Sequence, residues 1–228
     1  MIGLPDQVTA CLFDLDGVLT STAALHERAW QQTFDELLRE RGLPPFTEHD
    51  YASYVDGRPR DDGVRTFLAS RGITPSEADV KRIGDTKNVL LQEQLAQRGV
   101  QPFPGSVRFL DAARAAGLKI AVVTSSANGK AVLDAAGLTP YVQARIDGLV
   151  IAQQKLRGKP APDSFLAGAQ ALGVPARAAA VFEDALAGVQ AGRDGGFGFV
   201  VGVDRLGQAE ELREHGADVV VEDLAELL

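Results

Sequence analysis

Cysteine is nearly absent from this chain of 228 residues, which contains only Cys11. A disulfide within the sequence is therefore excluded, and because Cys11 lies in an apolar stretch we expect a buried structural thiol. No run approaches ~20 consecutive apolar residues, which excludes a transmembrane helix. The opening residues MIGLPDQ lack a basic leader followed by an apolar core, so no secretion signal is expected. Together these absences predict a cytoplasmic protein with no membrane partner.

Positive charge is also scarce, since 23 Lys and Arg residues stand against 31 Asp and Glu residues, for a formal net charge of −8. Nucleic-acid binding requires cations that neutralise phosphates, so no nucleic-acid partner is expected. An anionic substrate must instead be attracted by a local cluster of cations, including a bound metal. A P-loop is missing as well, because Ala131 follows Gly129-Lys130 and Pro160 follows Gly158-Lys159. A kinase-like nucleotide site is therefore disfavoured.

From Leu118 onward, short apolar segments alternate with helical patterns of about ten residues. This alternation is typical of βαβ units and a parallel sheet, and residues 8–13 predict an earlier strand of the same sheet. Asp163 is placed to cap one of the helices. The predicted strands are LKIAVVTSS, ARIDGLVI, AAAVFED, FGFVVGV and ADVVV, and the predicted helices are GKAVLDAAG, DSFLAGAQALG, ALAGVQAGRDGG and AEELREHG.

The segment between these strands, residues 23–102, has a helical pattern with few strand candidates. Apolar residues of LHERAWQQTFDELLRERG recur at near-helical spacing, and Trp30 and Phe34 are expected to form this segment's own core rather than bind a ligand. In TPSEADVKRI, Thr74 is predicted to be the N-cap of a capping box. A helical block that interrupts the βα alternation predicts an α/β core domain of residues 1–22 and 103–228, with a helical cap domain of residues 23–102.

Two aspartates, Asp14 and Asp16, follow the first predicted strand, and Gly17 marks a turn after them. Ligands of open α/β sheets bind at the carboxyl ends of strands, and alternate strand residues share a face. Both carboxylates are therefore expected in one small site, where a cation or a shared proton relieves their repulsion. A hard, oxygen-seeking ion such as Mg²⁺ suits this pair. The alternative is that Asp14 only ends the strand and Asp16 caps a turn.

Three later clusters are also expected at strand ends. The hydroxyls of residues 124–126, together with the start of the next helix, either hold a phosphate or simply cap that helix. Lys159 lies in the proline-stiffened loop RGKPAPD, as a fixed cation or as an ordinary solvated lysine. Glu183 and Asp184 follow the strand AAAVF and form a second acidic pair. Four sheet termini that deliver these groups together suit phosphoryl transfer, which needs charge neutralisation and positioning.

Four motifs, FDLDGVLT, VVTSS, GKPAPD and FEDALAGV, resemble in this order the motifs of the haloacid dehalogenase superfamily. The helical insert after the first motif, with LHERAW and YVDGRPRDDG, resembles the β-phosphoglucomutase-like branch. The match extends over nearly the whole chain. It implies a Rossmann-like three-layer α/β core with a mostly parallel sheet and an inserted helical cap.

The resemblance also implies a role for each motif residue. Asp14 would be the nucleophile that becomes an aspartyl-phosphate, and Asp16 would be the general acid/base. Asp16 favours phosphoryl transfer over dehalogenation, because dehalogenating members lack it. Thr124, Ser125 and Lys159 would bind the transferring phosphoryl group. The Mg²⁺ cofactor would be bound by Asp14, the carbonyl of Asp16, Asp184 and, directly or through water, Glu183.

The insert departs from the branch at several positions. Asp56 and Ala127 stand where lysine is typical, and Ser21 stands where aspartate is common. Arg60 keeps its place and would bind the distal phosphate of a sugar bisphosphate, or else is a solvated surface arginine. Arg58 is a candidate replacement cation. The residues expected to bind substrate are His26, Gly57, Arg60 and Asn128, of which His26 either couples cap closure to the acid/base or is an ordinary exposed helix histidine.

These inferences predict a Mg²⁺-dependent sugar phosphomutase of the type that interconverts β-glucose 1-phosphate and glucose 6-phosphate. Arg60, with Arg58 nearby, is the predicted second phosphate site that a mutase needs. A small-molecule phosphatase on the same scaffold is the first alternative, since two lysines are absent. A non-catalytic module that binds a phosphorylated ligand is the second, and the intact acidic pairs argue against it. The predicted partner is a small phosphorylated sugar, and the predicted assembly is a monomer.

Overall fold

The structure is a computed structural model that describes residues 2–228. The described residues form a sheet of six parallel strands in the order β3-β2-β1-β4-β5-β6. Strand β1 lies at the centre, and all four of its residues are buried because layers of helices cover both faces of the sheet. The strands are β1 Ala10–Phe13, β2 Lys119–Val123, β3 Ala144–Ile146, β4 Ala179–Glu183, β5 Phe199–Val203 and β6 Val219–Val221.

Residues 23–98, all of which the structure describes, form helices and loops and contain no strand. Their core is aromatic, since the ring centroid of Phe34 lies between 4.2 and 5.3 Å from those of Trp30, Phe46 and Phe67. This packing confirms that Trp30 and Phe34 belong to the core of the insert. The helices are α1 Ala23–Glu40, α2 Glu48–Asp50, which continues into a π-helical turn at Tyr51–Val55, α3 Arg60–Ser70 and α4 Glu77–Arg98.

The remaining helices pack on the two faces of the sheet, to which alternate strand residues point. On one face Phe13 and Phe182 stack at 4.4 Å between centroids, under α5 and α6. On the other face Leu12 and Val181 pack against α8, α9 and α10. These layers give the predicted three-layer core. The helices are α5 Pro104–Ala115, α6 Gly129–Ala135, α7 Gly148–Gln154, α8 Asp163–Leu172, α9 Leu186–Asp194 and α10 Ala209–Glu214.

The chain enters and leaves the helical insert at two adjacent segments. The Ser21 N–H donates to the Gln101 carbonyl at 3.0 Å, and the Phe103 N–H donates to the Leu19 carbonyl at 3.0 Å. The division into a core domain and a cap domain stays a prediction. Within residues 2–228, none of the helices combines the length and apolarity that crossing a bilayer requires.

Two strand predictions need correction. The first strand begins at Ala10 rather than at residue 8. The segment ARIDGLVI is a strand only over Ala144–Ile146, because the Asp147 carboxylate accepts from the N–H groups of Leu149 and Val150, each at 3.1 Å. This N-cap starts α7, so the apolar residues after Asp147 are helical.

Two helix caps also differ from the prediction. Helix α4 begins at Glu77 with Ser76 as its N-cap, whose hydroxyl accepts from the Asp79 N–H at 3.1 Å, so the predicted cap at Thr74 is wrong. Asp163 is the first residue of α8 rather than its cap. Its carboxylate binds the Arg157 guanidinium at 2.7 Å instead.

The lone cysteine is buried in the sheet, as expected. Burial raises the pKa of the Cys11 thiol to about 12, which keeps the thiol protonated and unreactive at neutral pH.

Candidate active site

Three buried carboxylates meet at the carboxyl ends of the two central strands. Asp14 follows β1, and Glu183 and Asp184 stand at the end of the adjacent strand β4. Each offers an oxygen, and these oxygens lie within 4.8 Å of one another. The structure thus brings the two predicted acidic pairs together, although the side chain of Asp16 is not part of this group of three.

Lys159 is the cation of this centre. It lies in the loop between α7 and α8 rather than at a strand end, which corrects the expected placement. The buried Nζ donates to Asp14 Oδ1 at 2.6 Å, to the Val123 carbonyl at 3.1 Å and to Glu183 Oε1. Burial lowers the pKa of Lys159, but the charges of Asp14 and Glu183 outweigh burial and raise that pKa above its ordinary value. Lys159 is therefore a charged ammonium group at neutral pH.

One ammonium group does not balance three carboxylates. Burial raises the pKa of Asp14 and raises that of Glu183 to about 8. Burial, and then the charges of Asp56, Glu183 and Asp14, raise the pKa of Asp184 well above its ordinary value. An added cation would relieve this excess of negative charge, and carboxylate oxygens are the donors that hard divalent ions prefer. Asp14, Glu183 and Asp184 therefore form a group that can hold a divalent metal ion.

The Asp16 carboxylate points to a different set of partners. Its Oδ1 accepts a hydrogen bond from the Thr22 hydroxyl, and its Oδ2 accepts one from Thr124 at 3.3 Å. His26 Nε2 lies 3.6 Å from the same Oδ1. Burial raises the pKa of Asp16, which the hydrogen bonds from Thr22 and Thr124 oppose. A raised pKa makes a carboxyl group better suited to hold and donate a proton than an ordinary aspartate.

Gly17 is required by both backbone and packing. Its φ of +95° is a conformation that side chains rarely adopt. A Cβ atom there would lie 1.8 Å from Asp184 Oδ2. The loop after β1 thus packs directly on the acidic residues after β4.

Several predicted binding residues hold the insert against the core. The Ser125 hydroxyl donates to the Gly57 carbonyl at 2.7 Å, and Asn128 Nδ2 donates to Asn88 Oδ1 at 3.0 Å. Gly57 has a φ of +70°, and a Cβ there would lie 2.8 Å from the Cβ of Ala185. The carboxylate centre is consequently covered, and Asp14 is only 6% exposed.

A cleft of about 310 Å³ lies between the insert and the core, and His26, whose Nε2 is 3.6 Å from Asp16 Oδ1, is one of its lining residues. The side chain of Arg60 forms part of its wall and is 33% exposed. Arg60 Nη2 lies 3.6 Å from Asp85, and Arg60 Nε is buried without a hydrogen-bond partner. The other predicted substrate residues that line the cleft are His26, Gly57 and Asn128, together with Asp56, Arg58 and Ala127.

Lys87 was not predicted from the sequence, although it lies beside the acid/base candidate. Its buried Nζ is 3.1 Å from His26 Nδ1 and 5.0 Å from the ring centroid of Trp30. Burial lowers the pKa of Lys87 to about 7. Burial, and then the Lys87 charge, lower the pKa of His26 well below its ordinary value. His26 is 15% exposed, so the alternative of an ordinary exposed histidine is wrong.

A periodic signal for Lys87 was available. Ile83, Lys87 and Leu91 follow one another at intervals of four residues and are all buried in α4. A lysine within the apolar stripe of a helix needs a special environment, because charged side chains are rarely buried.

The six-stranded fold, its helical insert and the acidic centre with a buried lysine point to one family of α/β enzymes. The family model for haloacid dehalogenase-like hydrolases matches residues 8–196. The chain belongs to this family, which confirms the resemblance of its four motifs.

Several named proteins are similar to this chain over nearly their whole length. The β-phosphoglucomutases of Mycobacterium bovis and Mycobacterium tuberculosis are 53% identical, in alignments that cover 100% of this chain and 94% of each relative. Hexitol phosphatase A of Escherichia coli is 32% identical over 95% of this chain and 91% of that protein. A crystal structure of a β-phosphoglucomutase from Clostridium difficile matches with a TM-score of 0.81 and 26% identity, covering 97% of this chain and 93% of that one. The predicted fold is thereby confirmed.

Proposed function

We propose that this chain has Mg²⁺-dependent β-phosphoglucomutase activity and interconverts β-glucose 1-phosphate and glucose 6-phosphate. The observation that carries the proposal is the covered centre in which Lys159 binds Asp14 and Glu183, while Asp16 lies 3.6 Å from His26, a residue that lines the cleft. The full-length similarity to named β-phosphoglucomutases supports the same activity. We also retain a monomer and a cytoplasmic location as predictions.

Asp14 is the proposed nucleophile. One of its carboxylate oxygens attacks the phosphorus of a sugar phosphate and forms an aspartyl-phosphate, while the bond between phosphorus and the sugar oxygen breaks. The departing sugar oxygen takes a proton from the Asp16 carboxyl group. Lys159 offsets the repulsion between the carboxylate and the phosphate, and Thr124 and Ser125 are proposed to bind the phosphoryl oxygens.

The phosphorylated enzyme then acts on β-glucose 1-phosphate. Asp16 removes the proton of the C6 hydroxyl, whose oxygen attacks the phosphorus of the aspartyl-phosphate, and glucose 1,6-bisphosphate forms as the bond to Asp14 breaks. The bisphosphate then reorients within the cleft. The C1 phosphoryl group then passes to Asp14, the C1 oxygen receives the proton from Asp16, and glucose 6-phosphate is released.

The chain's oxygen donors fit the proposed Mg²⁺. Asp14, Asp184, the carbonyl of Asp16 and Glu183 would hold the ion, which when bound supplies charge neutralisation to the phosphoryl oxygens.

The second phosphate is the feature that separates a mutase from a simple phosphatase. A bisphosphate that must reorient needs a site for the phosphate that is not being transferred, and water must be kept away. Arg60, in the wall of the cleft with Arg58 close by in sequence, is the proposed site. The burial of Asp14 beneath the insert supports the exclusion of water.

A small-molecule phosphatase is the second candidate. The similarity to hexitol phosphatase A favours it. The residues Asp56 and Ala127 also favour it, because they stand where lysine is typical of the β-phosphoglucomutase-like branch. In that reaction water, deprotonated by Asp16, would accept the phosphoryl group from Asp14 and release inorganic phosphate.

The decisive experiment supplies each anomer of glucose 1-phosphate with Mg²⁺ and catalytic glucose 1,6-bisphosphate. Glucose 6-phosphate is followed with glucose-6-phosphate dehydrogenase while inorganic phosphate is measured in parallel. We expect glucose 6-phosphate from the β anomer alone. Rapid phosphate release without isomerised sugar would decide for the phosphatase. No turnover here and no Mg²⁺-dependent hydrolysis of p-nitrophenyl phosphate would decide for a binding module.

A further inference from the structure

The loop after β5, residues 204–208, contacts the loops that carry the acidic centre and contains none of the four motifs. Arg205 Nε donates to the Gly17 carbonyl at 2.7 Å. Gln208 Nε2 donates to the Asp184 carbonyl at 3.2 Å. Gly17 belongs to the loop after β1 and Asp184 to the loop after β4, so one segment binds the backbone of both loops that supply the carboxylates.

The Arg205 side chain and the Gln208 backbone are themselves held in place. Arg205 Nη1 donates to the Glu222 carbonyl at 2.7 Å, and the guanidinium carbon lies 3.9 Å from the ring centroid of Phe103, a cation–π contact. Gln208 is buried, and its backbone N–H donates to Asp204 Oδ1 at 2.9 Å. A side chain that is fixed by its own contacts restricts the movement of the group that it binds.

The loop after β1 and the loop after β4 pack directly against each other. Gly17 lies so close to the Asp184 carboxylate that even a Cβ atom would overlap it. A shift of the Gly17 carbonyl or of the Asp184 carbonyl would therefore change the separation between Asp14 and Asp184. A divalent ion with a demanding coordination geometry is sensitive to such a change.

We propose that Arg205 and Gln208 are positioning residues of the metal site, which they align through the carbonyls of Gly17 and Asp184. The inference rests on the proposed function, in that the acidic centre binds a divalent metal. Neither residue is placed in contact with the substrate or the metal. Removal of a group that orients metal ligands typically lowers the metal affinity by about 10–100-fold.

The test measures Mn²⁺ binding directly, from the electron paramagnetic resonance signal of free Mn²⁺, without turnover. Arg205→Met and Gln208→Met keep the side-chain length but remove the donors, and each should weaken Mn²⁺ binding by about 10-fold. Arg205→Lys, which restores a cationic donor, should recover part of the loss. Arg213→Met is the matched control, because Arg213 is half exposed on the neighbouring helix α10 and pairs only with Glu210 among the described residues.

Circular dichroism and thermal unfolding identify variants that fail to fold, and if Arg205→Met is among them, Arg205→Lys and Gln208→Met decide the question. In folded variants, the Mg²⁺ concentration for half-maximal rate should rise while the KM for the sugar phosphate stays unchanged. Unchanged Mn²⁺ affinity in folded Arg205 and Gln208 variants overturns the inference, as does an equal loss in Arg213→Met. A wild-type protein that binds no Mn²⁺ contradicts the metal part of the proposed function instead.

Discussion

Among the described residues, the core and the helical insert each bury one lysine, and the two environments shift the lysine pKa in opposite directions. In the core, Lys159 Nζ donates to two carboxylates and a carbonyl, and its pKa is raised. In the insert, Lys87 Nζ contacts the His26 imidazole and the face of Trp30, and burial lowers its pKa to about 7. Burial disfavours the charged form of both lysines, and only close anionic partners, such as those of Lys159, reverse that effect.

This difference separates a fixed charge from one that responds to its surroundings. The core keeps a constant positive charge beside Asp14, where a phosphoryl group would otherwise be repelled. The insert places a lysine whose pKa is about 7 beside His26, which in turn lies 3.6 Å from Asp16.

The most severe way to break the core is Asp14→Asn, which removes the nucleophilic carboxylate and one of the two carboxylates that contact Lys159. We expect kcat for the phosphomutase reaction to fall by about 10⁴-fold or more. The measurement is the coupled assay, together with the mapping of acid-labile phosphate after incubation with radiolabelled acetyl phosphate. Asp6→Asn, at an exposed carboxylate, is the control. Undiminished turnover in Asp14→Asn, or label on another residue, would contradict the role of Asp14.

A smaller and more selective effect is expected in the insert from Arg60→Ala. The loss of a charge-assisted hydrogen bond of about 1.5–3 kcal/mol should lower kcat/KM for the mutase reaction by about 10–100-fold. Hydrolysis of p-nitrophenyl phosphate should remain nearly unchanged, because that ester has no distal phosphate. Both rates are measured with the same enzyme preparation.

Arg65→Ala is the matched control for Arg60→Ala, since Arg65 lies on the same helix α3 and pairs with Asp62 and Glu77. An equal loss of both activities in Arg60→Ala would show that Arg60 serves the fold or the closure of the insert. The distal-phosphate role would then be wrong.

The core was the more predictable region because parallel sheets place the carboxyl ends of their strands at one edge. Asp14, Glu183 and Asp184 follow apolar strands directly, so their meeting point could be inferred from sequence. The placement of Lys159 could not, since its loop follows a helix and reaches the site only through tertiary folding. Asp147 explains another error, because its capping of α7 depends on a turn within ARIDGLVI, which was predicted to be one strand.

The insert and the supporting loop were less predictable for a related reason. Lys87 acquires its meaning only when α4 packs against α1, which brings it to His26. Arg205 and Gln208 act on backbone carbonyls, which leave no mark in the sequence. Motifs record side chains that meet substrates, whereas the residues that hold those side chains in place are identified by their contacts.

The smallest expected effect, and the one that addresses the comparison of the two lysines most directly, is the pH dependence of stability in Lys87→Met. The folded pKa of Lys87 is about 7 against an ordinary value of 10.5, so between these values the unfolded chain binds more protons than the folded chain. The contribution of Lys87 to the free energy of unfolding therefore rises with pH across that window. The burial of Lys87 destabilises the folded state most below about pH 7.

Lys87→Met removes this dependence. The free energy of unfolding of the variant, relative to wild type, should decrease by about 2 kcal/mol between pH 7 and pH 9, as measured by urea unfolding without metal. The lost contacts with His26 and Trp30 offset the whole curve but do not change its slope. Asp56, whose pKa burial raises to about 7, and Glu183, with a pKa of about 8, titrate in both proteins. Lys81→Met, at an exposed lysine of the same helix, should leave the slope unchanged. Parallel curves for wild type and Lys87→Met would mean that Lys87 stays charged in the folded state, and the contrast with Lys159 would be lost.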